Sequence, residues 1–293
     1  MAETERAPSE PGFDLLSDET RIDIVRTLVD HLRESPDEPS IGFSDLRRRV
    51  GVRDSGNFSY HLNKLEGRFV RKTAEGYRIA PAGLKVVAAL ITGTYDTGSP
   101  LGPLELEDRC PVCDGRLTAT YRDGLLGVRC PNDHVFKNTL PPGTIDDRTL
   151  PEVLELWTHK TRNDLALATE GICPFCYGRL ELSAGSDIGP ECSEVETRCP
   201  RCGVSLEIPV IVSACRHPTV TAYYFDHGID VRATPLWASE FYDPVDVSRS
   251  TDPDRIHLSI DLGHDPLAVT LDDSLAVVRV SAPEDTTEDL AGG

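Results

Sequence analysis

A hundred residues pass without a cysteine, and then eight metal-ligand residue types arrive in two regular clusters. The first is Cys110-Pro-Val-Cys113 followed, after sixteen residues, by Cys130-Pro-Asn-Asp-His134. The second is Cys173-Pro-Phe-Cys176 followed, after twenty-two residues, by Cys199-Pro-Arg-Cys202-Gly203. Paired short-spaced thiols separated by strand-forming sequence match a four-ligand tetrahedral site, for which thiolate and imidazole favour zinc. The candidate ligands are Cys110, Cys113, Cys130 and His134 for one ion and Cys173, Cys176, Cys199 and Cys202 for another, giving two structural zinc ions as the expected cofactors. Stretches this short are not expected to bury a core unaided, so the metal is expected to supply much of the fold. Cys192 and Cys215 are left over and read as small buried side chains.

Four filled ligand positions leave no coordination site for a substrate. There is no His-Glu-x-x-His pattern, no phosphate-binding glycine loop and no supportable triad, so an enzyme is not expected. No segment reads as a signal peptide and no apolar run is long enough to cross a bilayer, so a soluble cytoplasmic chain is expected. Nine cysteines then point to metal rather than disulfides.

Charge separates the two halves. The chain holds 30 Lys and Arg against 49 Asp and Glu, a net charge of −19, and only five of the bases are lysine. Acid-rich, lysine-poor composition resembles proteins of salt-loving archaea, where concentrated ions screen carboxylate repulsion. Within residues 40–80, however, nine basic residues face four acidic ones, a local excess of five positive charges.

That basic island has a recognisable pattern. Ile22, Val25, Val29 and Leu32 recur at helical spacing behind a possible Ser17 cap. Two short helices follow, from about Ser44 to Val50 and from about Ser55 to Glu66, ending at Gly51 and Gly67. Phe69 to Ile79 reads as two strands around Ala74-Glu75-Gly76, and Pro81 opens a helix that is apolar nearly all round. Such a helix needs covering on more than one side, most simply by a second copy of the chain.

Leu16 to Ile24, Phe58-Ser-Tyr-His-Leu62 and Gly76-Tyr-Arg-Ile79 together resemble the ArsR-type winged-helix transcriptional regulators, especially archaeal relatives. The resemblance covers roughly residues 13–93. It implies a winged helix-turn-helix, double-stranded DNA as the partner and a homodimer. On that reading Arg53, Ser55, Asn57, Ser59, Tyr60 and Lys64 would meet the duplex from the second short helix and its lead-in, and Arg71, Lys72 and Arg78 from the wing. Arg47 to Arg49 would flank the groove, and His61 is open between packing and DNA contact. The metal-sensing members' cysteine pair on a helix of this domain has no counterpart here, the first cysteine being Cys110.

The expected fold class is therefore multidomain α+β. A frayed segment 1–12 precedes the winged helix-turn-helix 13–93 and a linker 94–104. A zinc ribbon at 105–145, a connecting helix at 146–171 and a second ribbon at 172–213 follow. A helix and small antiparallel β segment occupy 214–280, with a surface connection within 234–254, and an acidic disordered tail closes the chain at 281–293. Winged helix plus zinc ribbon is also similar to basal factors such as transcription factor E, which leaves contact with the transcription machinery open as an alternative.

Overall fold

The computed structural model describes residues 12–96, 98–182, 188, 194–263 and 265–281. It is an α+β chain with several antiparallel sheets, and it divides into two compact units: Met1–Thr97 with Pro141–Gly143, and Gly98–Leu140 with Thr144–Gly293. No helix among the described residues is long and apolar enough to cross a membrane. Most of the expected frayed N-terminus, Cys192 and all of the expected tail but Ser281 lie outside the described residues.

In the first unit Gly12, placed by sequence in the frayed segment, instead begins a short helix α1 (Gly12–Leu15). Helix α2 (Glu19–Glu34) is capped by Asp18, not Ser17. The Asp18 carboxylate accepts from the Arg21 N–H at 3.2 Å, whereas the Ser17 hydroxyl turns back to the Asp14 carbonyl at 2.8 Å. Helix α3 (Phe43–Val50) stops at Gly51, whose φ of 83° lets its N–H reach the Arg47 and Arg48 carbonyls. Helix α4 (Ser55–Leu65) follows, capped by Asp54, and then strands β1 (Val70–Lys72) and β2 (Tyr77–Ile79). Ile41 adds a third row by exchanging both backbone hydrogen bonds with Tyr77, each 2.9 Å.

Gly76 is dictated by this contact: at φ 142° an added Cβ would sit 2.3 Å from the Ile41 carbonyl oxygen. Helix α5 (Pro81–Ile91) completes the unit. Its core is apolar and contiguous, from Ile24, Val25 and Leu28 through Leu46, Phe58, Leu62 and Leu65 to Val70 and Val87. Phe43 meets Phe58 edge-on, with ring centroids 5.2 Å apart.

In the second unit strands β3 (Leu101–Arg109), β4 (Arg116–Arg122), β5 (Leu125–Arg129) and β6 (Val135–Thr139) form an antiparallel sheet in chain order. Residues 101–104, expected in a linker, are thus strand. Asp123 and Gly124, at φ 51° and 76°, make the expected hairpin turn between β4 and β5. Helix α6 (Leu150–Thr169) has the expected bounds, and the Thr149 N–H donates to the Glu152 carboxylate at 2.7 Å.

Strands β7 (Glu194–Arg198) and β8 (Ser205–Pro209) pair as a hairpin. The short helices α7 (Val210–Ala214), α8 (Pro218–Asp226) and α9 (Ser239–Tyr242) lead to a last sheet. That sheet is built from β9 (Val245–Thr251), β10 (Asp254–Ile260), β11 (Leu267–Leu271) and β12 (Val277–Ser281), in the order β12-β11-β10-β9.

Two expectations fail here. Residues 234–254 are not a surface connection, because β9 forms a fourth strand and Trp237 is buried. Trp237 stacks on Trp157 with centroids 4.8 Å apart and donates to Asp108 at 2.9 Å. Nor is the half that carries the Cys/His clusters short of core. Leu117, Ala119, Tyr121, Leu126 and Val128 close with Val153, Trp157 and Trp237 into one cluster. Leu165, Ala168, Ile208, Val210, Tyr224, Ile256, Leu258 and Val269 belong to another. Helix α6 contributes to both, so the apolar surface that the short Cys/His segments lack comes from elements far along the chain.

Candidate metal centres and nucleic-acid interface

The eight predicted ligands converge as two groups of four, and in each group the ligand atoms lie within 4.8 Å of one another. In the first, Cys110 and Cys113 sit in the β3–β4 loop and Cys130 and His134 in the β5–β6 loop. Cys113 Sγ lies 3.6 Å from Cys130 Sγ, and His134 Nδ1 lies 3.5 and 3.4 Å from the Cys110 and Cys130 sulfurs. In the second, Cys173 Sγ to Cys202 Sγ is 3.7 Å and Cys176 Sγ to Cys199 Sγ is 3.5 Å.

A tetrahedral zinc with bonds of about 2.3 Å to sulfur and about 2.0–2.1 Å to nitrogen implies edges of about 3.8 Å between sulfurs and about 3.5 Å from sulfur to nitrogen. The observed edges fit that figure, and a disulfide, at about 2.05 Å, does not. Both groups can therefore hold a metal ion.

Backbone hydrogen bonds shape the loops that carry these ligands. Cys110 N–H bonds the Gly115 carbonyl at 2.9 Å, Cys173 N–H the Gly178 carbonyl at 2.9 Å, and Cys199 N–H the Val204 carbonyl at 2.8 Å. Each turn needs a left-handed residue after its second cysteine, supplied by Asp114 (φ 56°), Tyr177 (φ 56°) and Gly203 (φ 78°). Gly178 leaves room for the Arg201 stem, whose Cδ would lie 3.0 Å from an added Cβ. The Asn132 side chain, helped by the Gly115 N–H, pulls the Cys113 thiol down to about 6, toward the thiolate that a metal needs. The ligand thiols do not all move that way: burial raises that of Cys110, as it raises that of Cys215, which lies in neither group, to about 12. His217 serves as cap of α8, its Nδ1 accepting from the Thr219 N–H at 3.3 Å.

In the first unit Arg53, Ser55, Asn57, Tyr60, Lys64, Arg71, Lys72 and Arg78 are exposed, while Ser59 is half-buried. At the α4 N-terminus the Asp54 carboxylate accepts the Asn57 N–H. Arg47 to Arg49 are likewise engaged. Arg47 donates to the Val52 and Arg53 carbonyls, Arg48 pairs with Asp45, and Arg49 pairs with Glu34 at 2.6 Å.

Arg53, Lys64, Arg71, Lys72 and Arg78 stand apart: among the described residues none of them is paired with an acid. Arg71 and Arg78 are directly opposed across the β1–β2 ladder, an arrangement that costs stability in isolation. His61, left open by sequence, is buried. Its Nδ1 lies 3.3 Å from the Asp18 carboxylate and its Nε2 3.1 Å from Asn57 Oδ1, so it braces the Asn57 side chain against the start of α2.

A family model, Domain of unknown function (DUF7351), matches residues 107–277, well over half of the chain. The chain belongs to the DUF7351 family. A second model, Domain of unknown function (DUF7347), matches residues 8–90. The DUF7351 match contains both candidate metal centres and falls, but for residues 141–143, in the second unit, and the DUF7347 match contains all nine candidate duplex contacts and falls in the first. No curated protein matches the chain.

Proposed function

We propose that this protein is a sequence-specific, DNA-binding transcriptional regulator. Its first unit would be an ArsR-like winged helix-turn-helix, with α3 and α4 as the helix-turn-helix and β1–β2 as the wing. Its second unit would carry two structural zinc ions. The observation that carries the reading is the set of five uncompensated cations on α4, its lead-in and the hairpin of a chain with net charge −19. Opposing Arg71 and Arg78 across a ladder makes physical sense if a polyanion lies over them.

Helix α4 would enter the major groove, where Asn57, held by His61, suits adenine and Tyr60 and Lys64 reach neighbouring edges. The wing cations would hold phosphates without reading sequence. At high salt the phosphate contribution shrinks, so base contacts and paired half-sites must carry more of the affinity.

A homodimer fits the exposed side of α5. Leu84 is 41% exposed and Ile91 63%, with exposed Ala88 between them at helical spacing. Zinc is supported by the donor sets and their edge lengths. Four protein ligands at each centre favour a structural over a catalytic role.

The test is selection from random duplexes with the full-length, zinc-loaded protein, followed by binding titrations of variants. A motif with two related half-sites is expected. Lys72→Ala should weaken binding to every duplex and reduce the salt slope by about one, whereas Asn57→Ala should relax one base pair by roughly 1–3 kcal/mol. Equal losses on selected and random DNA for both variants would contradict the reading. Co-purification with polymerase without selective duplex binding would favour a basal-factor role instead.

A further inference from the structure

The tip of the second metal centre carries side chains that neither coordination nor packing uses. Phe175, between the ligands Cys173 and Cys176, is 47% exposed, and Tyr177, directly after Cys176, is 70% exposed. Tyr177 holds the left-handed backbone at φ 56°. Its counterparts in the other two Cys-x-x-Cys turns are Asp114 and Gly203, residue types that tolerate such a backbone. A bulky ring there costs backbone energy, and its exposure shows that burial does not offset the cost.

Two cations contact the tip, and a third follows it in the chain. Lys160, one of five lysines in the chain, places Nζ 5.8 Å from the Phe175 ring centroid while also pairing with Asp164. The Arg201 guanidinium donates to the Cys176 carbonyl at 3.3 Å, and Arg179, whose backbone bridges to Ile172, is exposed. At the first centre the positions of Phe175 and Tyr177 are held by Val112 and Asp114, so the rings are not a requirement of the turn.

Exposed rings set among ammonium and guanidinium groups are the elements of a stacking surface for bases, with neighbouring phosphates on the cations. A duplex keeps its base faces stacked inside, so only unpaired nucleotides present them. We propose that the Phe175–Tyr177 tip binds single-stranded nucleic acid, stacking unpaired bases on the rings and placing phosphates against Lys160, Arg179 and Arg201. This goes beyond duplex recognition by the first unit and uses a different surface. Stacking also survives concentrated salt better than phosphate contact does.

The experiment titrates metal-loaded full-length protein into a labelled oligothymidine and, separately, into a labelled selected duplex. Phe175→Ala and Tyr177→Gly should each weaken oligothymidine binding about tenfold and leave duplex binding unchanged. Val112→Ala should change neither. Tyr177→Gly should hold or raise the thermal midpoint, because glycine accepts this backbone without strain. A purely structural tyrosine would lower the midpoint, so that result overturns the proposal. Absence of oligothymidine binding by the wild-type protein overturns it as well, as does ring-dependent capture of a protein partner without nucleic-acid binding. Duplex binding is read on its own through Asn57→Ala, so either proposal can fail without the other.

Discussion

The two units solve the same problem, closing tight turns, in different ways. In the first, turns end on residues that pair the backbone themselves. Asp18 and Asp54 cap α2 and α4, and Gly51 and Gly67 take φ of 83° and 82° where α3 and α4 stop. In the second, four loops end instead on Cys or His pointing at a shared centre. Yet both units have continuous apolar cores. A metal held in the second unit would therefore act more as a clasp on loops than as a replacement for a core. Its removal should be felt where the core is thinnest.

Of the sheets beside a centre, the β7–β8 hairpin has the fewest strands, two, and they flank Cys199 and Cys202. Two strands alone are marginal in water. Chelation at neutral pH withdraws on the order of 10 kcal/mol of metal binding per site. Hydrogen exchange should then show β7–β8 and the loops at 110–116, 130–134 and 173–179 losing protection, the largest change expected of any manipulation here. The β9–β12 sheet and the first unit should keep theirs. Lowering the pH should act in the same direction, because thiolates must protonate to release the ion. Uniform loss across both units, or intact β7–β8, would break the contrast.

A second experiment probes the turn chemistry of the first unit. Gly76→Ala forces a Cβ to 2.3 Å from the Ile41 carbonyl at a backbone angle that alanine disfavours. Thermal or urea unfolding should register a loss of more than about 1 kcal/mol. The same change at Gly51, where an added Cβ meets nothing within 4 Å, keeps the φ penalty but lacks the clash and should cost less. Equal costs would mean that the Ile41–Tyr77 pairing is not what fixes Gly76.

What could be read in advance follows from how local each signal is. The ligands were legible because Cys-x-x-Cys is a four-residue pattern, and α6 because its cap, its proline and its stop at Gly171 all lie in or next to the helix. The position of β9 was hidden by Asp246, Ser248 and Ser250 on one face of an edge strand, whose other face sets the polar Arg249 beside Val247. Strand β3 was hidden by Gly102-Pro103, which reads as a linker, although Leu104-Glu-Leu-Glu107 alternates behind it. The bracing of Asn57 by His61 needs Asp18 from a distant helix, and the burial of Trp237 needs Asp108 and Trp157. Partnerships at such separations leave no periodic trace in the sequence.

The smallest expected effect asks whether the metal-bearing half relies on packing as the first unit does. Tyr121 lies on the inner face of β4, with no exposed surface, and its hydroxyl donates to the Leu140 carbonyl at 3.0 Å. Desolvation raises its pKa, so the hydroxyl stays a neutral donor across the ordinary pH range. Tyr121→Phe keeps the ring and deletes one buried hydrogen bond, leaving the Leu140 carbonyl without that donor. The loss should be about 1 kcal/mol in the metal-loaded protein. If the clasp alone held this half together, trimming one hydroxyl more than a ligand shell away would change nothing measurable. If packing and clasp act together, the loss should persist undiminished with both sites filled, because zinc cannot restore a donor to Leu140.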